Sequence, residues 1–329
     1  MENKLKAIVL LSGGLDSSLA TKIILEQNIE IMALNFFTPF CRCNRIKGCY
    51  SVAKYFSEKV GIPIKRIFLG EEYLKIIENP KYGYGKNLNP CIDCRILMFK
   101  KAKEIMEKEG FSFIVTGEVL DQRPKSQTLK ALKIIEKETG LEGLIVRPLS
   151  ANLLPETIPE KKGWIDRSKL LSIKGRRRET QFYLADFYGI KDYPCPAGGC
   201  LLTDPSFSKR MRDLIEFGSV DLKNIELIKI GRHFRLTPFT KLIIGRNELE
   251  NKKILALKEM DDIIIRSENF EVVGILKGCV SENVKYFSIR LVAKYIRDSN
   301  DYKKVIIENN KRMELLNVKP IEVSNFLRI

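Results

Sequence analysis

Two sets of residues in this chain have the types and spacing that chemistry needs. The first is Ser12-Gly13-Gly14-Leu15-Asp16-Ser17, directly after the apolar run at 6–11. Two glycines let the backbone turn tightly and approach an anion with no Cβ in the way. A helix starting there points its open N–H groups and positive dipole end at the turn. Ser12 and Ser17 add hydroxyls. Asp16 can cap the helix or help hold Mg²⁺ beside phosphates. The string lacks the Lys-Ser/Thr of a Walker loop and is not GxGxxG. The structural alternative is a glycine turn with a capping aspartate.

The second set is the cysteines: Cys41, Cys43, Cys49, Cys91, Cys94, Cys195, Cys200 and Cys279. Cys91 and Cys94 have C-x-x-C spacing, placed just before a helix expected at 96–110. With the distant Cys200 they make three ligands for a 4Fe–4S cluster, leaving one iron open to carry hydrosulfide or substrate. Adding Cys195 gives the four ligands of a structural zinc. A persulfide relay between Cys94 and Cys200 needs no metal, and buried inert thiols are the plainest reading. Cys41, Cys43 and Cys49 suit a second metal, sulfur delivery or packing, with a place near the cleft expected because the second strand ends there. Cys279 reads as a core thiol. Clustered cysteines in a reducing compartment point to metal or catalytic thiols rather than disulfides. The single histidine, His233, excludes a multi-histidine metal site and reads equally as a core residue or an RNA contact.

The balance of 57 basic against 41 acidic residues, net +16, favours a polyanionic partner. A lysine-rich thermophile surface is the alternative. No apolar run approaches the roughly 20 residues of a membrane span. The apolar start is short and ends in a glycine turn, unlike a signal peptide, so a cytoplasmic location is expected.

These residues need elements to position them. Apolar runs at 6–11, 29–37, 64–70, 111–118 and 144–149 read as strands, alternating with helical patterns at 17–27, 49–62, 96–110 and 126–140. That alternation predicts an α/β fold, a doubly wound parallel sheet with helices on both faces. Ligands in such sheets bind beyond the carboxyl ends of the strands. The turn at 12–18, residues 35–41 and residues 116–122 should therefore share one cleft. A helix expected at 175–189 opens with Arg176, Arg177 and Arg178, against the dipole, as RNA-binding residues or as a solvated face. From about 206 the texture changes to short strands and helices. The expected domains are 1–204 and a smaller α+β domain at 205–329.

The SGGxDS string resembles the pyrophosphate loop of the N-type ATP pyrophosphatases, which have an adenine nucleotide alpha hydrolase-like fold. That resemblance implies cleavage of ATP between the α and β phosphates and transfer of AMP to an acceptor. Residues 115–132, VTGEVLDQRPKSQTLKAL, taken with CRILM and VRPL, resemble the catalytic domain of the tRNA 4-thiouridine synthetases over roughly the first 150 residues. YPCPAGGCLLTD, 193–204, is similar to a shorter branch of thiouridylase-like proteins.

The resemblance implies that Ser12, Gly13, Gly14, Asp16 and Ser17 hold ATP phosphates. Gly117, Glu118, Gln122, Ser126 and Gln127 would lie on the nucleotide side. Asp16, Cys94 and Cys200 would be catalytic. It also implies ATP and Mg²⁺ as cofactors, tRNA as partner, a cysteine desulfurase or inorganic sulfide as sulfur donor, and a homodimer. Neither the THUMP region nor the rhodanese domain of the better-known members is expected for this chain, an expectation that favours the cluster or an internal cysteine as the sulfur carrier. GRHFRL and residues 241–255 resemble the RNA-binding domain of NFACT-type proteins, on Gly245, Arg246, Asn247 and Asn251, with Arg246 and Asn247 as RNA contacts. An α+β domain that packs without RNA is the alternative. The expected activity is ATP-dependent tRNA uridine thiolation, most simply to 4-thiouridine. The competing readings are 2-thiouridine synthesis, adenylation of a small molecule, and RNA binding without ATP turnover.

Overall fold

Residues Lys6–Leu10 form β1, the centre of a parallel sheet whose order is β3-β2-β1-β4-β5, with β2 at Glu30–Phe37, β3 at Ile64–Phe68, β4 at Phe113–Thr116 and β5 at Ile145–Val146. The computed structural model describes residues 5–42, 49–193, 199–309, 312–321 and 329, so Cys43, Cys195 and the side chain of Cys49 lie outside the described residues. Both faces of β1 are buried, as a doubly covered strand requires. Ala7 and Val9 face a core built with α1 (Leu15–Leu25), α2 (Cys49–Val60) and α7 (Glu179–Phe187). Ile8 and Leu10 face a second core with α4 (Cys91–Glu109) and α5 (Leu129–Thr139).

Three elements differ from the sequence expectation. The fifth strand is two residues rather than six; Pro148 has no N–H to give a ladder. A further helix, α3 (Glu71–Glu78), buries Tyr73, Leu74 and Ile77. Helix α4 begins at Cys91, so the C-x-x-C pair is its first turn rather than a lead-in. Ile92 starts the buried stripe that Ile96 and Phe99 continue, and Pro90 stands at the N-cap, where its missing donor costs no helical bond. Short α6 (Ile158–Lys161) is fixed by a capping box between Thr157 and Glu160.

The chain divides into two compact units, one ending at Thr203 and one starting at Asp204. The second unit holds an antiparallel sheet of order β11-β10-β8-β9-β7-β6. Its strands are β6 (Arg232–Thr237), β7 (Thr240–Ile244), β8 (Ile263–Arg266), β9 (Val273–Gly278), β10 (Lys303–Glu308) and β11 (Met313–Val318). Helices α8 (Pro205–Phe217), α9 (Leu222–Ile228), α10 (Glu248–Ala256) and α11 (Glu282–Ala293) complete it. Asp213 on α8 joins Arg235 of β6 through two 2.7 Å bonds and Lys241 of β7 at 2.6 Å. Among the described residues no helix is long and apolar enough to cross a membrane.

Candidate active site

The sheet order reverses between β1 and β4, and the loops after these two strands meet there, the usual ligand crevice of such sheets. After β1 the chain turns through Gly13 at φ 79°, a left-handed conformation that glycine adopts without Cβ strain. Gly14 caps α1, and its N–H donates to Ser12 Oγ at 3.3 Å. Ser17 Oγ donates to the Gly14 carbonyl at 2.8 Å and lies 3.2 Å from Ser12 Oγ. Asn35, from β2, braces the turn by donating to the Leu11 carbonyl at 2.8 Å. From β4, Gly117 lies so close that a Cβ there would stand 2.5 Å from the Asp16 carbonyl carbon and the Ser17 nitrogen.

Asp16 is held from both sides. Its Oδ2 accepts from Gln122 Nε2 at 2.7 Å, and its Oδ1 accepts from Arg178 Nη2 at 3.0 Å. Gln181 Nε2 donates in turn to Gln122 Oε1 at 3.2 Å. Arg178 Nε and Gln181 Oε1 are buried with no hydrogen-bond partner. Buried polar atoms are normally paired, so these two retain capacity to bond a polar group that enters beside Asp16. Arg178, expected on the RNA side, thus turns into the phosphate loop. Arg176 and Arg177 are exposed.

Next to Gly117, the Glu118 carboxylate is almost fully buried between Arg147 Nε at 3.2 Å and Arg95 Nε at 3.5 Å. Arg147 also pairs with Glu136. Arg95 follows Cys94 directly. Glu118 therefore links the phosphate loop to the cysteine-bearing turn of α4. Ser126 is buried and hydrogen-bonds the Cys91 thiol, so it belongs to the cysteine side as well. Gln127 is buried; its backbone closes the loop by accepting from Asp121 N at 2.8 Å and donating to the Arg123 carbonyl at 3.1 Å.

The thiols gather beyond β2. Cys41 and Cys200 form an antiparallel bridge. Cys94 lies within electrostatic reach of Cys41, Cys91 and Cys200. Burial pushes the Cys94 thiol up to about 11 and the Cys200 thiol up to about 12. Burial also raises Cys91. The Tyr73 hydroxyl hydrogen-bonds Cys94, and the phenol is pushed well above its ordinary range by burial and then by the sulfurs of Cys94, Cys200 and Cys41. Among the described residues, no three His, Cys, Asp or Glu side chains are grouped to hold a metal ion as they stand. Cys279, expected in the core, is exposed instead: Gly278, at φ 99°, ends β9 and turns the chain outward.

In the second unit His233 is buried, with Nε2 2.7 Å from the Ile230 carbonyl, and burial lowers its basicity well below the usual value. It is a core histidine. Asn247 caps α10 by accepting from Glu250 N at 3.0 Å, and Arg246 is exposed and pairs with Glu250 at 2.8 Å. Asn251 donates to the Phe270 and Glu271 carbonyls at 3.0 and 2.9 Å.

Residues 3–153 match the family described as thiamine biosynthesis protein (ThiI). That match lies within the first unit and spans the turn at 12–18, Cys91, Cys94, Gly117 and Glu118. Residues 231–327 match the NFACT protein RNA binding domain. A tRNA sulfurtransferase of Desulfurococcus amylolyticus is 30% identical over 148 residues, 44% of this chain and 29% of that protein. The tRNA-specific 2-thiouridylase MnmA of Francisella tularensis is 24% identical over 306 residues, 84% of this chain and 81% of that protein. A solved structure of the U34-tRNA thiolase NcsA from Methanococcus maripaludis, with its 4Fe–4S cluster, aligns at a TM-score of 0.34 and 19% identity over 69% of this chain and 71% of that chain. The chain spans about a third of the length of the first curated relatives it matches.

Sequence reasoning about the first unit overlooked Tyr73, Gln181 and the inward turn of Arg178. Tyr73 lies in a segment that showed no strong pattern. Gln181 has no signal of its own; only the pairing of α7 with α1 brings it to Gln122.

Proposed function

We propose that this chain thiolates a tRNA uridine at the expense of ATP, placing sulfur at carbon 4. A uridine carbonyl oxygen is a poor leaving group, and transfer of AMP to that oxygen makes it a good one. A sulfur nucleophile then adds to the carbon, and AMP departs. The backbone N–H groups after Ser12, with the Ser12 and Ser17 hydroxyls and Arg178, would hold the leaving pyrophosphate and its growing charge. Asp16 would hold Mg²⁺, which would supply charge neutralisation beside the phosphates. Exposed Arg176, Arg177 and Arg246 would meet RNA phosphates.

The observation that supports this best is the chain of contacts from phosphate loop to thiol: Gly117 packs on Asp16 and Ser17, Glu118 pairs with Arg95, and Arg95 adjoins Cys94. Soft thiol donors suit an iron–sulfur cluster, and among the described residues no three of them are grouped to hold a metal ion as they stand. The sulfur route can be carried by the thiols Cys41, Cys94 and Cys200 themselves, and Cys91, Cys94 and Cys200 would be the ligands of a cluster.

The test is anaerobic incubation of the protein with ATP, sulfide and unmodified tRNA, followed by nucleoside analysis. 4-Thiouridine is the expected product. Absence of any thiouridine from folded protein overturns the reading. The 2-thiouridine alternative is favoured by the relative matched over most of both chains; sulfur found at carbon 2 would establish it.

A further inference from the structure

Leu201 N–H donates to the Phe40 carbonyl at 2.8 Å, and Arg42 N–H donates to the Gly199 carbonyl at 2.8 Å. Cys41 and Cys200 are the bridge partners between these two bonds. The bonds fall on the flanking residues, so the two cysteines occupy a non-hydrogen-bonded position. There, opposed Cα atoms stand about 4.5 Å apart and side chains approach most closely. A disulfide spans Cα separations from roughly 4.4 Å upward. Both residues are partly buried thiols. The Cys41 sulfur accepts from Thr38 N–H at 3.3 Å, with the Thr38 hydroxyl at 3.6 Å, contacts that support negative charge on sulfur. The Cys94 sulfur is engaged by the Tyr73 hydroxyl instead.

We propose that Cys41 is the thiol that releases sulfur carried on Cys200. The proposal rests on the reading of this site as a sulfur-transfer site. A donor of sulfane sulfur, a persulfide or polysulfide, leaves one outer sulfur on Cys200. The Cys41 thiolate attacks Cys200 Sγ. The bond from Cys200 Sγ to the outer sulfur breaks, the Cys41–Cys200 disulfide forms, and the outer sulfur leaves as hydrosulfide. The proton given up by Cys41 balances the departing sulfide. The outer sulfur is reduced by two electrons, the two cysteines are oxidised, and a dithiol reductant restores them afterwards.

The test uses the whole protein, reacted with inorganic polysulfide in the absence of ATP and tRNA. Samples are alkylated at intervals, and peptides are mapped without reduction. The Cys41–Cys200 disulfide is expected to accumulate one for one with released hydrosulfide. Cys41→Ser is expected to slow that release about tenfold or more while the persulfide persists on Cys200. A Cys94–Cys200 disulfide in its place, or wild-type release from Cys41→Ser, overturns the proposal. The assay holds no nucleotide or RNA, so the two readings fail separately. A normal disulfide map in protein that makes no thiouridine counts against the tRNA reading alone. Thiouridine formation without the Cys41–Cys200 disulfide counts against the pair alone.

Discussion

Arg178 Nη2 stands 3.0 Å from Asp16 Oδ1, a contact that closes 162 residues of sequence. It joins the start of α7 to the first turn of α1 and adds a fixed positive charge beside the phosphate loop. Arg178→Ala should weaken ATP binding about tenfold, roughly 1.4 kcal/mol, with partial recovery in Arg178→Lys. Calorimetric titration with ATP reads this directly. Asp16→Ala should lower pyrophosphate formation by about a hundredfold or more.

Gly117→Ala should damage the same loop from the other strand. A Cβ at 2.5 Å from backbone atoms of Asp16 and Ser17 forces β4 and α1 apart. Overpacking of this kind costs about 1–3 kcal/mol. Denaturant unfolding should show that loss, and ATP binding should fall with it.

The thiols set an alkaline limit. Burial holds Cys94 at about 11 and Cys200 at about 12, above the ordinary thiol value of 9.0. Between those values the unfolded chain releases protons that the folded chain keeps, so stability is present below pH 9 and is lost as pH rises through 11 to 12. Unfolding curves across this range should slope less steeply with pH in Cys94→Ser. Tyr73→Phe removes the hydrogen bond that favours the Cys94 thiolate, so alkylation of Cys94 should shift to still higher pH.

His233 sets an acid limit in the second unit. Its folded basicity lies well below the ordinary 6.5, so it stays neutral while an unfolded histidine takes up a proton. The stability it contributes is present above pH 6.5 and is lost as pH falls, by up to about 1.4 kcal/mol per pH unit. His233→Gln should flatten the wild-type loss of stability between about pH 6 and pH 4.5.

Gly245→Ala separates fold from RNA contact. Its Cβ would stand 2.0 Å from Asn251 Oδ1, so the second unit should lose about 1–3 kcal/mol. Arg246→Ala leaves that packing intact and should reduce the salt dependence of RNA binding by about one phosphate contact. Melting curves and filter binding distinguish the two.

The alternation of apolar runs revealed the sheet because both faces of β1 are covered, so that Ala7 to Leu10 are apolar without a break. The phosphate turn was legible because Gly13 answers a local demand, a positive φ; Gly117, in the loop after β4, answers another, a close approach to Asp16 and Ser17. The start of α4 was misread because Cys91 and Cys94 carry little helical signal; Ile92, matched with Ile96, was the clue. Arg178 was misassigned for a different reason. Three consecutive arginines look alike in sequence, and only the docking of α7 on α1 turns one of them inward. The resemblance carried by Gly245, Arg246, Asn247 and Asn251 was legible because Gly245 packs against Asn251, Asn247 caps α10 and Asn251 ties it to the Phe270 and Glu271 carbonyls, while Arg246 stays exposed.

The strand-like pairing of Cys41 with Cys200 has neighbours: Leu88 N–H donates to the Leu202 carbonyl at 3.2 Å, and Asn87 Nδ2 to the Thr203 carbonyl at 2.8 Å. The last residues of the first unit therefore close its centre. During synthesis the phosphate loop leaves the ribosome about 185 residues before the segment that completes the thiol pair, and that delay runs on the order of ten seconds or more at ordinary elongation rates. Arg178, which reaches Asp16 of the same loop, precedes Cys200 by only 22 residues, so the loop and the thiol bridge are both completed at the very end of this unit's synthesis.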